Sequence, residues 1–166
     1  MPLWIIYHPH NTFTDIAERS SLSNAITKVY TAGNLPAFYV NVVFVPVAPD
    51  NFFIGGVPRP SPHTSANEPG PDSSKPFIRI TIQNIARKIP SVKSANRFLS
   101  VVDQALKPFI ADKGYDWEYS VEETSRDLWK IDGLVPPMPN TEAEKEWVRL
   151  NRAVEFEPEK GGLPKL

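Results

Sequence analysis

The sequence predicts an α/β protein built from two tandem βαβ units. Together they form one four-stranded sheet with two helices on one face and a C-terminal extension. Three observations carry this. Short apolar, β-branched stretches at 2–8, 37–45, 77–83 and 115–121 read as strands. Between the members of each pair lies a stretch with one apolar helical face. The pattern then repeats with an offset of about 75 residues, a repeat of pattern with slight identity between the halves. Strand, helix, strand implies parallel strands joined by a right-handed crossover.

The first strand is Pro2-Leu3-Trp4-Ile5-Ile6-Tyr7, broken by His8-Pro9-His10-Asn11. Thr12 or Thr14 is the expected cap of the first helix. Leu22, Ala25, Ile26, Val29 and Tyr30 supply its apolar face, and Gly33-Asn34 stops it. Ala37 to Val45 is almost continuously apolar and is expected to be a strand buried on both faces. Asn51 to Gly56 reads as a short extended piece ending in a flexible glycine pair.

Residues 57–75 hold prolines at 58, 60, 62, 69 and 71 with several serines, and are expected to be an exposed loop or linker. Phe77 to Gln83 alternates as a strand. Ser91 caps a second helix carrying Val92, Ala95, Phe98, Leu99, Val102 and Leu106, which Pro108 ends or kinks. Tyr115 to Val121 is the last strand. The expected organisation is a domain over 1–136 (βαβ units 2–47 and 76–121 around the loop) and a tail over 137–166 with a short helix from Thr141 to Asn151. Trp129 and Trp147, with little local core, are expected to be exposed and to dock on a neighbouring subunit.

Composition narrows the function. The 166 residues carry 18 basic and 19 acidic side chains, net −1, so no nucleic-acid or anionic-membrane partner is advertised. There are no cysteines, which excludes disulfides, thiolate metal sites and cysteine nucleophiles. No apolar run approaches the ~20 residues of a membrane helix, and no secretory leader is evident. The expectation is a soluble cytoplasmic protein. His8 and His10, two apart and without companion ligands, are a weak metal signal.

Pro2 is the residue that most suggests chemistry. A small residue at position two favours removal of Met1, which would leave a secondary amine at the head of an apolar strand. An α-amino group titrates near pH ~8 in the open, and burial lowers that value, so the group can exchange protons near neutrality. A frayed terminus is the plain alternative. Arg87 with Lys88, near a helix start, is either a carboxylate grip or a solvated pair. Tyr119 is either an oxyanion donor or a buried tyrosine with a satisfied hydroxyl. Tyr30 reads first as core. Asp127 beside Arg126 reads first as a surface ion pair, and Arg79 as a cross-strand or interface partner.

Pro2 at the head of a strand, Ala25-Ile26-Thr27 in the first helix, and Asn51-Phe52-Phe53-Ile54-Gly55-Gly56 after the second strand resemble the tautomerase superfamily. Within it they most resemble the group around cis-3-chloroacrylic acid dehalogenase. The resemblance covers roughly residues 2 to 136 and rests on order and spacing rather than on any single motif. It implies a homotrimer, no metal or organic cofactor, and a small carboxylate substrate. It assigns catalysis to Pro2, carboxylate binding to Arg87, and a catalytic role to Tyr119. Asn84 stands where the family has a second arginine, and Tyr30 replaces a substrate-binding histidine. Lys130, Ile131 and Asp132 stand where the family has a water-activating glutamate, with Asp127 reachable through a gap. Keto–enol tautomerisation of a 2-oxo or unsaturated acid therefore ranks first. Hydration or dehalogenation of 3-haloacrylate-type acids is the alternative, and a non-catalytic trimeric binding protein is the third reading.

Overall fold

The computed structural model describes residues 2–85 and 88–164. Among the described residues, six strands and three α-helices follow in the order β1 (Pro2–Pro9), α1 (Ile16–Thr31), β2 (Asn41–Val47), β3 (Phe53–Ile54), β4 (Val57–Pro58), β5 (Phe77–Ile85), α2 (Val92–Leu106), β6 (Asp116–Thr124) and α3 (Glu142–Leu150). The main sheet has the order β2-β1-β5-β6. β1 runs parallel to β2 and antiparallel to β5, and β5 runs parallel to β6. Each parallel pair is one of the two βαβ units.

Alternation along the strands divides the sheet into two faces. Trp4 and Ile6 of β1 and Ile78, Ile80 and Ile82 of β5 are fully buried. They form one core with Leu22, Ile26 and Tyr30 of α1 and Val102 and Leu106 of α2. Both long helices therefore cover the same face. The opposite face carries Leu3, Ile5 and Tyr7 of β1 beside Val43 and Val45 of β2, and becomes polar at Arg79, Thr81 and Ser120. There Arg79 donates to Ser120 Oγ at 2.8 Å and lies 3.6 Å from Glu118, its neighbour in register. Arg79 is a cross-strand partner.

Several boundaries differ from the expected ones, each for a local reason. Helix α1 starts later, because Thr12 is consumed in a turn. Its hydroxyl donates to Pro9 O at 2.8 Å and also meets His8 Nδ1, and Phe13 adopts φ 48°. Asp15 caps the helix instead, accepting from Ala17 N. Residues 37–39 form a 3-10 turn after Pro36, so the second strand begins at Asn41. That strand is covered on one face only: Val42 and Phe44 pack on the core while Val43 is 45% exposed. The last strand runs on to Thr124.

The Asn51–Gly56 stretch ends in a two-residue hairpin turn between β3 and β4. Gly55 and Gly56 sit at φ 58° and 83°, as a type I′ turn requires. The proline-rich loop that follows is tied down. Arg59, 2% exposed, donates to Asp116 Oδ2 at 2.5 Å and to Lys75 O, and lies over the Phe77 ring. It thereby fastens the loop to the sheet end opposite Pro2.

The largest correction concerns the tail. Trp129 and Trp147, expected to be exposed, are 8% and 0% exposed. With Tyr39 they form a second cluster that also takes in Phe38, Ile85, Leu134, Val154 and Phe156. Trp147 Nε1 donates to Val154 O at 2.8 Å, and Phe38 N donates to Asn151 Oδ1 at 2.9 Å. Thr141 caps α3 through Glu144 N, and Asn151 ends it in the left-handed conformation. The tail packs on its own protomer because Trp129, Trp147 and Phe156 bury themselves against one another and against Phe38 and Tyr39. Among the described residues no helix is long and apolar enough to cross a membrane.

Two predictions follow from this packing. Trp147→Ala removes the centre of the second cluster and is expected to cost about 3–5 kcal/mol, read as a lowered midpoint in urea. His8 is buried at the base of the first core, and burial first, then the Arg19 charge, push its pKa below 6.5. The neutral form is favoured on folding, so its contribution is intact above pH ~6.5 and is lost as pH falls below that value. Stability of His8→Gln, measured from pH 8 to 5, is expected to fall less steeply than that of the wild type.

Candidate functional site

Pro2 is buried as the first residue of β1, the position in a strand where proline's missing donor does least harm. The register places it in the interior of the sheet. Pro2 stands opposite Asn84 of β5, and Asn84 stands opposite Glu123 of β6. These three residues form the terminal row of the helix-covered face. Trp4, Ile82 and Val121 form the next row, and Ile6, Ile80 and Tyr119 the third.

Tyr30 reaches this face from α1. Its hydroxyl accepts from Trp4 Nε1 at 2.9 Å, the rings meet edge to face at 6.5 Å, and Phe98 of α2 packs beside it. Burial raises the Tyr30 pKa to about 12, so the phenol stays protonated at neutral pH. Tyr30 is thus a core residue two positions along the strand face from Pro2.

Tyr119 lies four residues along and two strands across from Pro2. Its hydroxyl donates to Asp103 Oδ1 of α2 at 2.8 Å, and its ring stacks on Trp117. Burial first, then the hydrogen bond and the charge of Asp103, push its pKa well above the ordinary tyrosine value. Within one protomer Tyr119 and Pro2 are not brought together, and the phenolic proton already has an acceptor.

Tyr119 and Glu123 line a cavity of about 780 Å³ between β6 and the start of α2, whose walls include Val121 of β6 and Ile89, Pro90, Val92 and Leu99. Glu123 accepts a hydrogen bond from Ile89 N at 2.5 Å. Ser91 caps α2 by accepting from Ser94 N. Arg87, the expected carboxylate-binding residue, lies outside the described residues. Asp127 is exposed in a 3-10 turn just beyond β6. Its neighbour Arg126 turns to the Pro136 carbonyl and lies 6.0 Å over the Trp129 ring. Among the described residues, no group of three or more His, Asp or Glu side chains could hold a metal ion.

Two residues of this region escaped the sequence reading, Glu123 and Asp103. Period-two alternation through Trp117, Tyr119 and Val121 would have placed Glu123 on the Tyr119 face. Asp103 had no such signal, because its partner lies on another element.

Over residues 1–152 the chain matches the family described as "Putative oxalocrotonate tautomerase enzyme". The chain belongs to this tautomerase family. The structure of a "probable enzyme" from the thermophilic fungus Aspergillus fumigatus is similar at 42% identity. It has a TM-score of 0.80, with 94% of this chain and 98% of that one covered. Native RhCC from Rhodococcus jostii is similar at 35% identity and a TM-score of 0.81, covering 93% and 99%. Two more distant likenesses show the tautomerase fold alone. N1, a member of the cis-3-chloroacrylic acid dehalogenase family, has 13% identity and a TM-score of 0.59, covering 87% and 89%. A fused 4-OT solved as an asymmetric trimer has 15% identity and a TM-score of 0.55, covering 80% and 94%. No curated protein matches the chain by sequence.

The Asp103–Tyr119 pair is directly testable. Asp103→Asn removes the charge that helps hold the proton on Tyr119. The Tyr119 pKa is expected to fall toward, without reaching, the ordinary ~10. An ultraviolet titration of tyrosinate, with Tyr119→Phe to assign the signal, reads the shift.

Proposed function

We propose that this tautomerase-family chain is a cofactor-independent keto–enol tautomerase acting on a small 2-oxo or unsaturated carboxylic acid. Its general base and acid is the secondary amine of Pro2, exposed by removal of Met1. The observation that carries this is the position of Pro2, buried at the head of a central strand. Burial disfavours the ammonium form, so a neutral amine is available near pH 7 to take an α-proton and return it at the enol oxygen or carbon.

On this reading Arg87 holds the substrate carboxylate, a task suited to a planar two-pronged donor. Asn84, directly across from Pro2, supplies polar contact at the reacting end. Tyr30 backs the Pro2 face. Tyr119 contributes only where another protomer brings it to a Pro2, and then by exchanging Asp103 for the developing enolate oxygen. Residues 1–136 are the catalytic domain, and 137–166 an extension that closes the Pro2 end.

A homotrimer fits this division of parts. The apolar half of the open face, Leu3, Ile5, Tyr7, Val43 and Val45, needs a cover, and the edge strands β2 and β6 are open to pairing. We place the chain near the cis-3-chloroacrylic acid dehalogenase group on Ala25-Ile26-Thr27 and on the Gly55-Gly56 hairpin. Tautomerisation ranks above hydration or dehalogenation because those need a carboxylate free to activate water. Here Glu123 is engaged by Ile89 N and Asp127 faces solvent. The setting proposed is the cytoplasm.

Intact mass first establishes whether Met1 is removed. Turnover of phenylenolpyruvate, followed in the ultraviolet, is then measured for wild type, Pro2→Ala and a form retaining Met1. Pro2→Ala is expected to lose ~10²–10⁴-fold in rate, about 3–5 kcal/mol of barrier, with an unchanged melting temperature. Equal activity in the wild type and the Met1-retaining form would overturn the reading, since an amide nitrogen has no basicity.

A further inference from the structure

We propose that the indole N–H of Trp129 is the hydrogen-bond donor for the enolate oxygen that develops on a substrate at Pro2. The role rests on the reading of Pro2 as the proton-transfer group. Removing a proton beside a carbonyl leaves charge on the oxygen, and a fixed donor must meet it. Tyr119 does not supply that donor within one protomer, because it stands apart from Pro2 and donates to Asp103.

The end of the sheet holds another candidate. β1 runs from Pro2 to Pro9, so the Pro2 nitrogen faces the end at which β2 begins and β5 and β6 finish. Ile85 follows Asn84, the residue across from Pro2, and pairs with Thr124 of β6. On the other side, Tyr39 lies two residues ahead of Asn41, which pairs with Leu3. Tyr39 and Ile85 thus stand one step beyond Pro2 on either side of β1. Trp129 joins both in one cluster, its ring 5.3 Å from that of Tyr39.

Trp129 is 8% exposed, and its Nε1 is buried without a hydrogen-bond partner among the described residues. The indoles of Trp4 and Trp147, equally buried, are both satisfied: Trp4 donates to the Tyr30 hydroxyl at 2.9 Å and Trp147 to Val154 O at 2.8 Å. A buried indole N–H ordinarily finds an acceptor, and leaving it without one costs folding free energy. Thr124, level with Ile85, has a buried hydroxyl that also lacks a partner among the described residues. Two unpaired donors at the end that Pro2 faces call for an acceptor from outside the chain, and an enolate oxygen is one. The ring is held in place: Arg126 lies 6.0 Å over it, and Tyr39 meets it edge to face. A donor fixed before the substrate arrives needs no reorganisation as charge develops.

Two arms test this. In the first, the indole N–H resonances of the wild type are followed on adding phenylpyruvate, the keto form of the assay substrate, with Trp129→Phe to assign the signal. The Trp129 signal is expected to move downfield, as for an N–H that gains an acceptor. Those of Trp4 and Trp147, already bonded, are expected to stay. An unmoved Trp129 signal in excess phenylpyruvate overturns the proposal, and is the result a permanently bound water would give. This arm reads binding and stands whether or not Pro2 transfers a proton.

In the second arm, kcat and KM for phenylenolpyruvate are measured in wild type, Trp129→Phe, Trp147→Phe and Pro2→Ala, each checked for its melting temperature. Trp129→Phe keeps an aromatic ring and loses the donor. It is expected to lower kcat ~10²-fold with KM changed less than about 3-fold. Trp147→Phe removes an N–H of the same cluster that is already committed to Val154, and is expected to leave kcat near that of the wild type. An equal loss in both tryptophan variants would make the effect one of packing and overturn the donor role. Full activity in Trp129→Phe beside a loss in Pro2→Ala refutes Trp129 alone. A fully active Pro2→Ala refutes the Pro2 reading itself, and the first arm then decides Trp129.

Discussion

The structure depends on β1 being held between a parallel and an antiparallel neighbour. Its register with β2 and β5 fixes at once which side chains meet the helices and where Pro2 stands. Because the side-chain period is two, a slip of one residue would turn Trp4 and Ile6 to the open face and bring Leu3 and Ile5 beneath the helices. The core argues strongly against that slip. Trp4 and Ile6 are wholly buried, and the Trp4 indole has its hydrogen bond to Tyr30. The same contacts that stabilise the fold thus keep residue 2 from fraying.

The two ends of the sheet are finished differently, and the difference separates the chain's unusual segments by role. At the far end Arg59 draws the proline-rich loop onto Asp116 and Phe77. At the Pro2 end Trp129, shortly after β6, and Trp147 of the C-terminal extension join a cluster that includes Tyr39, just ahead of β2, and Ile85, which ends β5. The aromatic weight of the tail is spent inside the protomer. On the open face Leu3, Ile5 and Tyr7 of β1 are half-buried and Val43 of β2 is exposed, and exposed apolar side chains also stand at Leu128, Val135 and Met138.

Much of this was legible from sequence because it rests on periodicity. The helix faces Leu22-Ile26-Tyr30 and Val102-Leu106 and the isoleucines of β5 announce themselves at spacings of four and two. The second helix even shows its cap, Ser91, in the sequence. Where the reading failed, a long-range or conformational term decided. Thr12 looked like a cap, yet the Pro9 carbonyl took its hydroxyl. Residues 37–39 look like strand, but Tyr39 is drawn into contact with Trp129 and Trp147, far along the chain. Trp147 looked exposed because its partners Phe38 and Tyr39 lie more than a hundred residues away. At the candidate site the pattern is the same. Pro2, Asn84 and Tyr119 could be picked out by position, whereas the engagement of Tyr119 by Asp103 needed the packing of α2 on β6.

That engagement bears on how the proposed chemistry is divided. A phenol that already donates to a carboxylate stabilises an enolate only by giving up a bond of comparable strength, so its net help is the difference between two acceptors. Asp103 also raises the Tyr119 pKa, which keeps the proton on the phenol and rules out tyrosinate as a base near neutrality. Tyr30 is held protonated too, by burial, and its oxygen is occupied by Trp4. Both tyrosines are thus unsuited to accept a proton at pH 7. Burial lowers the pKa of an amine and raises that of a carboxylate, so both move toward neutrality, whereas a phenol moves away from it. On the proposed reading, proton transfer therefore falls to the Pro2 amine, and the two tyrosines of that face serve to bind and orient.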